Sequence, residues 1–176
     1  MSRGTPADGA AGESPRPPIA STCLRPSDAI AARYRAVVND CLFCGIAAGT
    51  ASAHVVASEQ LMVAFLDFRP LFKGHVLVIP RAHHETLAGL PGKLIAPLFG
   101  MVQRISAAMP AGLGAQGSFV GLNNTVSQSV PHLHVHVVPR TKGDGLRGFF
   151  WPRGKYADDD EAAGYARRLA AALAAG

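Results

Sequence analysis

Residues 132–138 read His-Leu-His-Val-His-Val-Val. Successive side chains of an extended chain point to opposite faces. The run therefore sets His132, His134 and His136 on one face and Leu133, Val135 and Val137 on the other. Same-face neighbours on a strand lie about 7 Å apart. A row of imidazoles at that spacing can surround one phosphate group, with the middle ring in line to attack phosphorus and its neighbours donating hydrogen bonds. Imidazole changes charge near neutral pH and can act as nucleophile, proton donor or phosphate ligand. A phosphoryl centre chiefly needs positioning and charge stabilisation. The same row would also suit a metal ion, and the spacing alone leaves both readings open.

A second group of reactive residues is Cys41-x-x-Cys44. The chain has three cysteines, an odd number, and its N-terminus lacks the apolar core of a secretory signal. This favours metal or redox chemistry over a disulfide framework, with two ordinary buried cysteines as the plain alternative. Zinc would need two further nitrogen or sulfur donors; His83 and His84 follow a strand-like segment, and His132 opens the triad. His54 and His75 read as packing or surface residues.

These groups need elements to hold them. A chain of 176 residues with 48% hydrophobic content can build one domain with a sizeable core. Aromatics are only 7%, so aliphatic side chains must do most of the packing. The net charge of +5 favours phosphorylated ligands. There is no run of five Lys or Arg and no interleaved aromatic ladder, so nucleic acid is not the expected partner. No run reaches the roughly 18 apolar residues of a membrane span, and a cytoplasmic protein is expected.

Residues 1–26, polar and rich in Pro and Gly, read as a disordered tail. Residues 27–40 read as a short helical appendage, with Ser27 as N-cap and Ile30, Tyr34 and Val37 on one face. The main domain spans 41–176. Strands are expected over 61–70 and 74–80, close enough to form a hairpin, and over 118–123 and 132–140. Leu94, Leu98, Met101 and Ile105 recur at helical spacing after Pro91-Gly92, with Pro97 marking a start or a bend. A terminal helix is expected over 157–173, and the aromatic run Phe149-Phe150-Trp151 before it reads as a core plug, or as a lid or dimer contact near the pocket. The fold class is α+β, a small antiparallel β-sheet with helices packed on one side.

The segment Gln128-Ser-Val-Pro-His-Leu-His-Val-His-Val-Val138 resembles the signature of the histidine-triad (HIT) superfamily. The resemblance extends to Cys41-Leu-Phe-Cys44-Gly-Ile, Phe65-Leu-Asp67, Gly74-His-Val-Leu-Val-Ile-Pro80 with Arg81-Ala-His83, and Gly121-Leu-Asn123, and covers roughly residues 41–152. It implies a HIT-like fold. It also implies a nucleotidyl hydrolase or transferase cleaving at the α-phosphate of AMP-type conjugates, nucleoside phosphoramidates or dinucleoside polyphosphates. In that family His134 would be the nucleophile that forms a nucleotidyl-histidine intermediate, and His136 would contact the phosphate. Gln128 and Ser129 would bind phosphate oxygens or the leaving group, Asn123 would belong to the phosphate site, and Asp67 would bind the ribose hydroxyls. A carboxylate does suit a ribose diol, though Asp67 also reads as a strand-end turn former. The resemblance further implies structural zinc held by Cys41, Cys44, His83 and His132, with His84 next in register, and a homodimer binding a purine nucleotide. One departure concerns the segment 124–127, which is shorter than the family's glycine-rich loop and carries Ser127 where a Gly is usual. Two other functions remain alongside this one: a non-catalytic nucleotide-binding or scaffold protein, and a zinc or redox protein built on the two cysteines.

Overall fold

The computed structural model describes residues 40–146 and 155–175. The expected tail over 1–26, the helix over 27–40 (Asp40 apart) and the aromatic run before residue 152 lie outside these residues. The elements, in order, are α1 (Leu42–Ala48), β1 (Val55–Ser58), β2 (Met62–Leu66), β3 (Val76–Pro80), α2 (Gly92–Leu113), β4 (Gly117–Gly121), β5 (Val135–Arg140) and α3 (Asp159–Ala175).

The strands form one antiparallel sheet in the order β1-β2-β3-β5-β4. The β2–β3 hairpin pairs Met62 with Pro80 and Leu66 with Val76. Its turn needs Gly74, whose φ is 93° and where a Cβ would come within 2.5 Å of Leu113 Cδ1. Strand β5 is interior. His136 pairs with Leu77 on one side and Gly121 on the other, so both neighbours fix the depth at which its ring emerges. The ladder starts at Val135, three residues later than the sequence suggests. Upstream, Leu133 N–H donates to the carbonyl of His84, which lies in a loop and not in a strand. The alternation of side chains nevertheless persists back to His132, since Leu133 shares the core with Val135 and Val137.

That core faces α2. Leu94, Leu98, Met101, Val102 and Met109 recur at helical spacing and pack on Met62, Ala64, Val76, Val78 and the odd-numbered face of 133–137. The helix runs through Pro97 and Pro110 instead of starting at the first, and it ends on Gly114, whose left-handed backbone returns its N–H to Pro110. By length and composition this helix would suffice to cross a bilayer, but its apolar stripe is the one buried on the sheet.

The helix α1 lies against part of the opposite face, so helices lie on both sides of the sheet. Phe43 meets Phe65 edge-on at 5.4 Å between ring centroids. Arg81 staples α1 in place. It donates to the carbonyl of Ala47 at the end of the helix, to Glu59 O at 2.7 Å and to Ser58 Oγ at 2.6 Å. Helix α3 is capped by Asp158, whose Oδ1 accepts from Glu161 N–H at 2.8 Å, and is mostly exposed.

Candidate functional site

The uncovered part of the α1 face carries two clusters joined through residues 132–136. In the first, Cys41 precedes α1 and Cys44 lies in its first turn, which brings both thiols to one side. Cys44 Sγ lies 3.3 Å from His83 Nδ1 and 3.5 Å from His132 Nδ1, and Cys41 Sγ lies 3.5 Å from His132 Nδ1. One donor atom from each of the four residues falls within 4.8 Å of all the others. His84 is not part of this group.

The chemistry of the donors fits zinc. Two soft thiols and two imidazoles are a tetrahedral zinc set. His132 Nε2 lies 2.8 Å from the carbonyl of Pro80; that oxygen only accepts, so the ring proton is on Nε2 and the Nδ1 lone pair points at the thiols. Such outer hydrogen bonds orient metal-binding imidazoles. His83 Nε2 is buried without a partner among the described residues, a further sign that this ring is placed for something besides protein. Burial, offset in part by the Pro80 carbonyl, pushes the His132 imidazolium down to about 4, so the ring is neutral at pH 7. Burial and the adjacent Cys41 push the Cys44 thiol up to about 12, a cost that a cation would reverse.

The second cluster holds the triad's other two rings. His134 is buried, with Phe43 edge-on at 5.2 Å and His136 at 4.9 Å between centroids. Its Nδ1 donates to the carbonyl of His132 at 2.7 Å. That bond places the proton on Nδ1 and leaves the Nε2 lone pair free, the form a nucleophilic imidazole needs. His136 Nδ1 lies 3.0 Å from His75 Nε2, and His75 Nδ1 lies 3.3 Å from Asp67 Oδ2. His75 Nδ1 faces both Leu71 N–H, which donates to a bare Nδ1, and the Asp67 carboxylate, which accepts from a protonated one, so the His75–His136 bond can run in either direction. Burial, then the nearby charges of His134 and His75, pushes the His136 imidazolium down to about 4. Burial also lowers that of His75, against the pull of Asp67.

The sequence suggests a packing or surface residue at His75, and the structure buries it. His75 is 2% exposed and bridges Asp67 to His136. His75 stands two residues before Leu77, the β3 partner of His136, and so shares its face. His54, by contrast, is exposed as expected. A cleft of about 210 Å³ opens beside this chain of rings, and Asp67, Arg69, Phe119, Asn123 and His136 are among the residues that line it. Asp67 is thus at the cleft. Its Oδ1 also accepts from Arg69 N–H at 2.8 Å, so the same carboxylate shapes the turn at the end of β2. Gln128 is engaged differently: Oε1 accepts from Thr125 N–H at 2.8 Å and Nε2 donates to Glu85 O at 2.6 Å. Ser129 is exposed beside it.

The sequence model of the HIT domain family matches residues 48–143. The protein named hit from Bacillus subtilis is 37% identical over 129 residues, 68% of this chain and 83% of that one. The chain belongs to the HIT family. The adenosine 5'-monophosphoramidase of Schizosaccharomyces pombe is 32% identical over 114 residues, 64% of this chain and 83% of that one. A zinc-bound histidine triad family protein from Mycobacterium smegmatis has a similar fold, with a TM-score of 0.60 and 34% identity over 78% of this chain and 98% of that one. In this HIT chain the cysteine pair, His83 and the first triad histidine form the candidate metal cluster, the third triad histidine lines the cleft, and the second lies buried between them.

Proposed function

We propose that this HIT protein is a nucleotidyl hydrolase or transferase that cleaves AMP-type conjugates, phosphoramidates or dinucleoside polyphosphates, at the α-phosphate. The observation that carries the reading is the bond from His134 Nδ1 to the His132 carbonyl, because it commits one ring nitrogen and frees the other. His134 Nε2 would attack phosphorus and the bond to the leaving group would break, the leaving group taking a proton as it departs. Water would then cleave the P–N bond and return a proton. The chain Asp67–His75–His136 lines the cleft where it could lend and recover that proton, and it would hold His136 toward a phosphate oxygen. Asp67 and Asn123 line the cleft beside it and suit the ribose and phosphate. The similar monophosphoramidase of S. pombe supports this choice of substrate.

Cys41, Cys44, His83 and His132 would hold one zinc ion, and the similar zinc-bound M. smegmatis protein supports that assignment. When bound, the ion supplies a cross-link between three chain segments and leaves His134 free. The pair of free thiols suits a reducing cytoplasm, and we infer a homodimer from the family alone.

His134→Asn is the test. It keeps a polar side chain and removes the attacking nitrogen, while Leu133, Val135 and Val137 still anchor the strand. Hydrolysis of an adenosine phosphoramidate should fall on the order of 10³-fold or more in kcat, with AMP binding retained. Mass spectrometry of quenched wild-type protein should find AMP on the peptide containing His134. Undiminished turnover in the variant would refute the mechanism. AMP binding by a wild type that turns over no such conjugate would leave a binding protein in its place.

A further inference from the structure

Two segments meet beside the cleft. Residues 83–87 begin with the metal-cluster imidazole of His83, and residues 123–128 lead into the triad. Two hydrogen bonds join them, and a third ties the first segment to the triad. Gln128 Nε2 donates to Glu85 O at 2.6 Å, Leu87 N–H donates to Asn124 Oδ1 at 2.8 Å, and Leu133 N–H donates to His84 O at 2.6 Å. Within the second segment, Thr125 N–H donates to Gln128 Oε1 at 2.8 Å and Asn123 Nδ2 to Ser127 O at 3.3 Å. Thr125 and Ser127 both sit in the left-handed region, with φ of 66° and 61°. Among the described residues they are the only non-glycines to do so. Residues with a Cβ hold that conformation only where the surroundings over-determine it. Here the surroundings are the amides of Asn124 and Gln128, each with a bond to the backbone of residues 85–87.

We infer that Gln128 and Asn124 are positioning residues that fasten the cleft loop 123–128 to the metal-bearing segment, so that occupancy of the Cys41–Cys44–His83–His132 cluster sets the order of that loop. Both ends of the Gln128 amide are spent on backbone, and its contribution to the site runs through the loop it shapes. An exposed loop of left-handed residues has little else to hold it, since Val126 at its tip is 78% exposed. If residues 83–85 lose their tether, Glu85 O and Leu87 N–H move and the loop relaxes. The inference about catalysis rests on the proposed nucleotidyl chemistry; the inference about order does not.

Amide hydrogen exchange on the full chain tests the order directly, without substrate. In zinc-loaded protein Thr125 and Leu87 should exchange slowly for loop amides. Removing zinc with a chelator should speed both at least tenfold while Val78 and Val137, in the sheet, keep their protection. Loop amides that ignore zinc removal while the sheet stays protected would overturn the coupling. Should the stripped protein unfold, Gln128→Met and Asn124→Ala in the zinc-loaded state decide the matter. Gln128→Met should speed Thr125 exchange and Asn124→Ala should speed Leu87 exchange, each at full zinc content. Gln128→Glu, which keeps the acceptor for Thr125, should restore protection at that amide alone. Unchanged Thr125 protection in Gln128→Met would overturn the positioning role. For turnover, Asn124→Ala should raise KM for an adenosine phosphoramidate several-fold and still accumulate AMP on His134. An unchanged KM in a turning-over enzyme would overturn the link from loop to substrate, whereas no turnover in wild type would count against the nucleotidyl reading and leave the exchange result standing.

Discussion

Cys44→Ser removes the one cluster member that lies within 3.5 Å of both imidazoles. Serine is nearly isosteric, so the core keeps its volume and the cost measures the metal. Through zinc, Cys44 closes a loop of 39 residues to His83 and one of 88 residues to His132. The chain entropy removed from the unfolded state by closing loops of this length is about 4 kcal/mol for the first and slightly more for the second. Those figures are ceilings, because unfolded cysteines and histidines also bind zinc and a three-ligand site retains part of the affinity. Taking about half of one closure to one full closure gives a loss of ~2–4 kcal/mol. For a domain of this size each kcal/mol is worth roughly 3–6 °C, so the melting temperature should fall by about 10–20 °C. The assay is a thermal melt paired with zinc content measured by mass spectrometry on protein purified without chelators. Wild type should carry one zinc and the variant much less. A wild type without zinc, or a variant that loses its zinc and melts within about 3 °C of wild type, would refute the assignment of a structural cross-link.

Acid stability should follow His136. Its folded imidazolium is pushed down to about 4, whereas the unfolded ring titrates near 6.5. Between those values the unfolded chain binds more protons, so this residue makes stability fall as pH drops from about 6.5 and adds no further loss below about 4. Urea midpoints at pH 7 and pH 4.5 should differ less in His136→Asn than in wild type, by ~1–2 kcal/mol after discounting for partial exposure; equal pH slopes would refute the assignment. At the hairpin, Gly74→Ala forces a Cβ into a left-handed turn with φ of 93° and against Leu113, and should cost about 1–3 kcal/mol in denaturant melts. Leu113→Ala in the same protein should recover only the steric share, and full recovery would show that the backbone was never strained. The ring nitrogens of His134 should report Nδ1 protonation in ¹⁵N spectra at pH 7, as the His132 carbonyl demands, and an Nε2-protonated ring would remove the basis for its nucleophilic role.

The sequence carried the triad's alternation because period-2 geometry is local: Leu133, Val135 and Val137 did enter the core together. It did not carry the start of the ladder, because whether Leu133 meets a strand or the loop carbonyl of His84 depends on a segment distant in the chain. His75 escaped for the same reason. Its isolated position gives no pattern, and β3 and β5 are not consecutive in sequence, so the register that sets it against His136 is a tertiary fact. The zinc set came from resemblance, not spacing; only folding brings ligands 39 and 88 residues apart to 3.5 Å or less. Helices on both faces were likewise not legible, since α1 is too short for its buried side to stand out, and Arg81 holds it from a distant strand end.

How one stretch joins the candidate metal cluster to the other two triad rings follows from how His132 is used. Its ring is fixed by Pro80 O and the thiols, and its carbonyl accepts from His134 Nδ1. Side chain and carbonyl belong to one residue, so fixing the ring restrains the peptide plane that selects the tautomer of the next imidazole along the face. The candidate metal cluster is thereby linked to the His134 ring through a single residue. His136, two residues on, is beyond that restraint and is held instead by His75 and Asp67. His134 and His136 are thus set by different anchors, one through the backbone of His132 and one through a side-chain relay across the sheet.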